Sequence, residues 1–138
     1  MNKRLFAVSV AAVVSAGLAA PALAHHSGAM FDPTKTVTLE GTVKEFQYTN
    51  PHSWLEVVVV GADGKETEWG FESEGPSTLL RAGIKAKSFM PGEKVTVMGH
   101  PMKDGRPAGS LVSVTKANGT VLSPRGGRPQ VTDAATKG

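Results

Sequence analysis

Cysteine is missing from all 138 residues. That absence excludes disulfides, thiolate metal sites, thiol catalysis and a lipid anchor carried on cysteine. Aromatic residues are scarce too, with one Tyr, two Trp and five Phe, so a core must be built mainly from Val and Leu. No Gly-rich phosphate loop precedes a helix: Gly126-Gly127 has no helical pattern behind it. No Ser/His/Asp order forms a nucleophile elbow, and Ser27 beside His26 is only adjacency. These absences leave the chain without an enzyme motif, and we read it as a binding protein.

A lasting excess of charge is absent as well. The formal net charge is +3, from 15 Lys and Arg against 12 Asp and Glu. Lys3 and Arg4 open the chain, Leu5 to Ala20 is an uncharged apolar run, and Ala22-Leu23-Ala24 has the small-x-small form of a signal-peptidase site. The run is short for a membrane span, so cleavage is expected rather than anchoring. Residues 1–24 are therefore expected to be a cleaved secretion signal, leaving a periplasmic protein with no membrane span. Without Lys3 and Arg4, thirteen basic groups face twelve acidic ones. A charge near neutrality, with export, argues against nucleic acid as a partner.

The remaining 25–138 suit one small domain. Residues 25–35 read as an irregular arm, with Asp32-Pro33 a turn signal. Val37, Leu39, Gly41 and Val43 alternate with Thr38, Glu40, Thr42 and Lys44, the period-two pattern of a half-buried strand. The phase slips at Glu45-Phe46, which predicts a β-bulge and a strong bend. A second strand runs from Ser53 to Val60, and Asp63-Gly64 predicts a hairpin into a third over 66–72. There Thr67, Trp69 and Phe71 should face inward and Glu66, Glu68 and Glu72 outward. Glu72 and Glu74 flank Ser73 and fall with Glu68 on a solvated acidic edge.

Pro76, Leu79, Leu80 and Gly83 mark the one short helix. Strands over 93–100 and 110–115 follow, then Asn118-Gly119 turns into Thr120 to Leu122. The domain is expected to span 36–122. The tail 123–138, rich in Pro, Gly and Arg at its start, has no periodicity and is expected to be disordered. Five strands with a helix between the third and fourth is the order of an OB-fold, so the fold class is all-β, a partly open five-stranded barrel. A cupredoxin-type sandwich would need more strands.

Four motifs occur in order: Ala24-His25-His26-Ser27, Asn50-Pro51-His52-Ser53-Trp54, Trp69-Gly70-Phe71-Glu72, and Pro91-Gly92-Glu93-Lys94-Val95-Thr96-Val97. Together they resemble the uncharacterised periplasmic family labelled domain of unknown function 6152, over roughly residues 24–122. The resemblance implies a periplasmic location and a small β-barrel-like domain, and no activity.

The candidate chemistry is that of a metal. Cleavage after Ala24 would give His25 both a free α-amine and an imidazole. With a second imidazole these form a T-shaped three-nitrogen chelate, a histidine brace, which resembles the copper sites of several secreted proteins. Amine and imidazole nitrogens suit Cu(II). His52 is the expected second imidazole. His26 is the poorer one, since neighbouring side chains in an extended arm point apart. His52 has a plain structural reading as well, bonding a loop carbonyl in a corner capped by Asn50. Met98, His100 and Met102 share one strand face by spacing and form a softer candidate set for Cu(I), though Pro101 interrupts it; Met30 could add a thioether. The other reading is a binding module for a peptide, an oligosaccharide or a periplasmic protein. It would use the barrel face, with Tyr48 and Trp54 as stacking surfaces. Which partner binds, and in what oligomeric state, the residues leave open.

Overall fold

The structure is a computed structural model and describes residues 27–126. Six strands and one helix follow a 3₁₀ turn at Ser27–Met30. They are β1 (Val37–Gln47), β2 (Trp54–Val60), β3 (Glu66–Glu72), α1 (Pro76–Arg81), β4 (Lys94–Pro101), β5 (Ala108–Lys116) and β6 (Val121–Leu122). The sheet runs β3-β2-β1-β4-β5-β6, and β3 also pairs with β5 in parallel. Gly70, Phe71 and Glu72 pair with Ala108, Gly109 and Ser110. This short parallel seam closes the five-stranded barrel that the strand order predicts, so it is closed rather than partly open. β6 is a two-residue addition on the free side of β5.

β1 serves both halves of the barrel. Val37 to Thr42 pair with β4, and Thr42 to Gln47 pair with β2. The register shifts between Val43 and Glu45, leaving Lys44 as the extra residue. The bulge predicted at Glu45-Phe46 thus falls just before it. A second shift, at Met98/Gly99 opposite Ser113/Leu111, leaves Val112 unpaired on β5. Bulges on two strands tighten the curvature that closure requires.

Inward residues follow from the alternation. Val43, Leu55, Val57, Phe71, Val95, Val97 and Val114 are all at most 4% exposed. Phe71 is fully buried, and Gly99 and Gly109 make room for it: a Cβ on Gly99 would stand 2.7 Å from Phe71 Cε1. Trp69 stacks on Phe71 with ring centroids 5.9 Å apart, but is only half-buried. Burying one such aromatic contributes up to about 3 kcal/mol, so this ring is a large share of a small core.

α1 plugs one end of the barrel. Pro76 begins it, and Gly83 (φ 82°) ends it in the left-handed conformation, as expected. Gly83 N–H donates to Leu80 O (3.0 Å) and Ile84 N–H to Leu79 O (2.8 Å). That pair of bonds, with Leu79 and Ile84 both buried, is a Schellman cap with its hydrophobic contact. Phe89 joins them and meets Phe46 edge-on at 5.0 Å.

Both ends of the described chain pack on the barrel. Phe31 is 5% exposed and bridges to Met102, while Asp32 N–H donates to Pro101 O (2.9 Å). The arm is therefore a tethered segment along the end of β4. Residues 123–126, the start of the expected disordered tail, also pack: Pro124 is buried and Ser123 Oγ donates to Val112 O (3.0 Å).

Candidate metal centre at the His52–Glu72 cleft

The loop between β1 and β2 presents His52. Its Asn50–Pro51 peptide is cis. Thr49 Oγ1 donates to His52 O (3.1 Å), and Ser53 Oγ contacts Thr49 O (3.4 Å). Gly75 lets the loop lie directly on the β3–α1 connection, since a Cβ there would stand 2.7 Å from Pro51 O. Asn50 is exposed, and its Oδ1 would be 3.2 Å from that same Cβ. Ser73 N–H donates to Ser53 O (2.8 Å) and Ser53 N–H to Glu74 O (3.2 Å). These two bonds carry the β2–β3 ladder past its last strand pair and set His52 beside Glu72.

His52 Nδ1 stands 2.7 Å from Glu72 Oε1. A carboxylate can only accept, so a neutral imidazole paired with it would carry its proton on Nδ1 and keep the Nε2 lone pair free. The Glu72 side chain is only 8% exposed and that of His52 39%. This is a correction to the sequence reading, which put Glu72 on a solvated acidic edge. Alternation does point Glu72 outward, but it lies there in a cleft shared with Gly28 and Phe31 of the arm and with Arg125. Glu68 does remain on the exposed edge, 2.7 Å from Lys44 Nζ. That hydrogen bond leads the causes that raise the Lys44 pKa above its ordinary value.

A cleft of about 130 Å³ opens at the pair. The arm contributes Gly28 and Phe31, β3 and its continuation Glu72, Ser73 and Glu74, β5 Ser110 and Leu111, and the last described segment Arg125. Ser73 is 8% exposed, and its Oγ is buried without a hydrogen-bond partner. Arg125 Nε donates to Glu74 Oε1 (2.9 Å). A larger open groove of about 480 Å³ is lined by residues of β1, β2, β4 and β5, among them Glu40, Val60, Lys94 and Lys116. It contains no histidine, so the smaller cleft is the better candidate for metal chemistry.

The other sequence candidates lie elsewhere. His25 and His26 fall outside the described residues. Met98 and His100 occupy half-exposed positions on β4, with Met102 just beyond its end. None of these three lines the cleft. His100 Nδ1 donates to Lys35 O (2.8 Å), which ties the arm to β4. Met30 is 41% exposed. Tyr48 packs against the core, its hydroxyl donating to Pro76 O (2.9 Å) with Ile84 O at 3.2 Å. Trp54 lies on the outside of β2 over Gly70, whose Cβ would meet its ring at 3.7 Å. Sequence reasoning missed Glu72, Ser73, Glu74, Ser110 and Arg125. Only the adjacency of Glu72-Ser73-Glu74 offers a signal, and period two alone assigns its carboxylates to the surface.

Among the described residues, no three His, Cys, Asp or Glu side chains are grouped to hold a metal ion. His52 is the one side chain of the cleft offered as a ligand, and any further nitrogen ligands would come from outside residues 27–126. Also among the described residues, no helix is long and apolar enough to cross a membrane. Neither a curated protein nor a solved structure matches the chain. A family model does match, over residues 12–112, and by that match the chain belongs to the family of unknown function DUF6152.

Proposed function

We propose that this is a secreted periplasmic protein that binds copper through a mature N-terminal His25 and His52, for metal buffering or delivery. One observation carries the reading. His52 is held by a buried carboxylate at Nδ1, and its cleft is lined by Gly28 of the arm. Histidines that ligate metals commonly donate their other ring N–H to a carboxylate, which orients the ring and raises its basicity. Gly28 is three residues from His25, a span of at most about 10 Å for extended chain. The amine and imidazole of a processed His25 are therefore within reach of His52 Nε2. Three nitrogens favour Cu(II) over harder cations.

The test is a copper titration of the 25–138 chain followed by EPR. It is run beside a form carrying one extra N-terminal alanine and beside His52→Ala. The expected result is stoichiometric binding with a nitrogen-rich Cu(II) signal, lost in both altered forms. Weak binding that ignores the added alanine would refute the proposal.

A further inference from the structure

We propose that the plugged end of the barrel docks on an anionic phospholipid bilayer, with Leu80 and Met90 entering the headgroup region and Arg81, Lys85 and Lys87 meeting its phosphates. The segment from Gly75 to Gly92 carries these three cations and no Asp or Glu, although the whole chain has 12 acidic residues. All three are exposed, and among the described residues none pairs with a carboxylate; Arg81 donates only to Thr78 Oγ1 (3.1 Å). Lys35, Lys44, Lys65, Arg106, Lys116 and Arg125 each stand within 4.0 Å of a carboxylate oxygen. Lys94 and Lys103 also lack such a partner, but they lie outside the segment. The positive charge of this end is therefore not neutralised by the protein itself, and it is free to attract an anionic surface.

The plug itself holds the apolar part in place. Leu79, Ile84 and Phe89 are each at most 1% exposed, and each is followed by a residue that the fold turns out to solvent: Leu80 at 57%, Lys85, and Met90 at 46%. Between them the chain is pinned, since Lys85 N–H donates to Ser88 Oγ (2.8 Å) and Ser88 N–H to Lys85 O (2.9 Å). Leu80 and Met90 are thus presented on a fixed support. Exposed apolar side chains beside unpaired cations are what an interfacial segment offers a membrane. A second copy of the chain fits this end badly, because two such ends would repel. A small ligand or a bound peptide fits badly as well, since neither groove described above is lined by any residue of 76–92. A bilayer needs no cavity. The surface is separate from the His52 cleft and does not depend on copper.

The experiment measures partition of the 25–138 chain onto sedimented vesicles, a form in which the apolar Leu5 to Ala20 run carries none of the binding. The vesicles are phosphatidylcholine alone, or phosphatidylcholine mixed with phosphatidylglycerol. Binding is expected on the anionic vesicles only, and it should weaken as salt rises. Lys85→Gln and Lys87→Gln should each lower the partition about fivefold. Lys103→Gln removes an equally unpaired cation, in the turn after β4 rather than before it, and should change the partition little. Leu80→Gln with Met90→Gln should lower it about tenfold. All the substituted side chains are exposed, so the fold is left intact. Absent binding to the anionic vesicles, equal binding to both kinds, or a loss for Lys103→Gln as large as for Lys85→Gln would overturn the proposal. Polyglutamate is run alongside. Its binding as tightly as the anionic vesicles, unchanged by Leu80→Gln with Met90→Gln, would assign the patch to an acidic polypeptide and overturn the bilayer.

Discussion

Removing the charge on Glu72 should change the tautomer of His52 before any metal is added. Glu72→Gln keeps the length of the side chain and an oxygen that can accept from Nδ1, and it deletes the carboxylate charge. The Nδ1–Oε1 contact, taken as a hydrogen bond, is 2.7 Å, with one partner almost fully buried and the other 39% exposed. A hydrogen bond to a charged group contributes about 1.5–3 kcal/mol, a neutral one about 1. Water at the exposed ring face argues for the low end, so the loss is about 1 kcal/mol, a factor of about five in the tautomer ratio. Glu72→Ala removes the acceptor altogether and should release the ring to its solution preference. Two-bond proton–nitrogen NMR of the imidazole, at a pH where it is neutral, reads the ratio directly. The unsubstituted protein should show the proton on Nδ1, Glu72→Gln a mixture, and Glu72→Ala mainly the Nε2–H form. Copper affinity should fall in parallel, by about tenfold for Glu72→Gln. A proton found on Nε2 in the unsubstituted protein would refute the reasoning, since that nitrogen could not then be the free ligand.

Two further outcomes concern the scaffold. Gly99→Ala puts a Cβ 2.7 Å from Phe71 Cε1 and 2.8 Å from the Ser110 carbonyl oxygen. It should cost about 2 kcal/mol by overpacking, or about 10 °C in Tm. Gly70→Ala meets Trp54 at an ordinary 3.7 Å and should change stability little; equal shifts of the two in thermal melts would count against the packing account. Asp32 is held below its ordinary carboxylate pKa first by the Thr34 hydroxyl, then by the Thr34 backbone N–H. A depressed folded-state pKa stabilises the fold above the ordinary carboxylate value and loses that contribution as pH falls through the depressed one. Thr34→Val should move the Asp32 carboxyl back toward its ordinary value in a carbon-13 titration, and no movement would show that the hydroxyl is not the cause.

The barrel was legible in the sequence because its signals are local. Alternation in 37–43 identifies an inward face, a phase slip near Glu45 announces the bend, and Gly83 after Leu79-Leu80 ends the helix. Each is decided by neighbours within a few residues, and each holds in the structure. The seam that closes the barrel is different. Gly70 to Glu72 pair with Ala108 to Ser110, and no short-range pattern records a parallel pairing across that separation. Its trace is in the glycines: Gly99 and Gly109 both clear space for the Phe71 ring, a relation visible only once the strands are adjacent.

The candidate site is hidden for a related reason, and the reason bears on what it is for. Period two sends Glu72 outward, and on an uncovered barrel that position would be solvated like Glu68. In the structure its side chain is 8% exposed and lines a cleft shared with Gly28 and Phe31 of the arm and with Arg125. Covering a carboxylate has a desolvation cost that a single partly exposed imidazole offsets only in part. A chain selected for stability alone would do as well with an apolar residue at 72. Under the proposed copper reading, a carboxylate and an imidazole kept together in this cleft have a ligand to meet. In that reading the arm leads back to His25, whose nitrogen is an amide in the full chain and would be an amine if processing follows Ala24. Processing would then switch the site on, and the one-alanine extension tests that dependence with the barrel, the cleft and the His52–Glu72 pair unchanged.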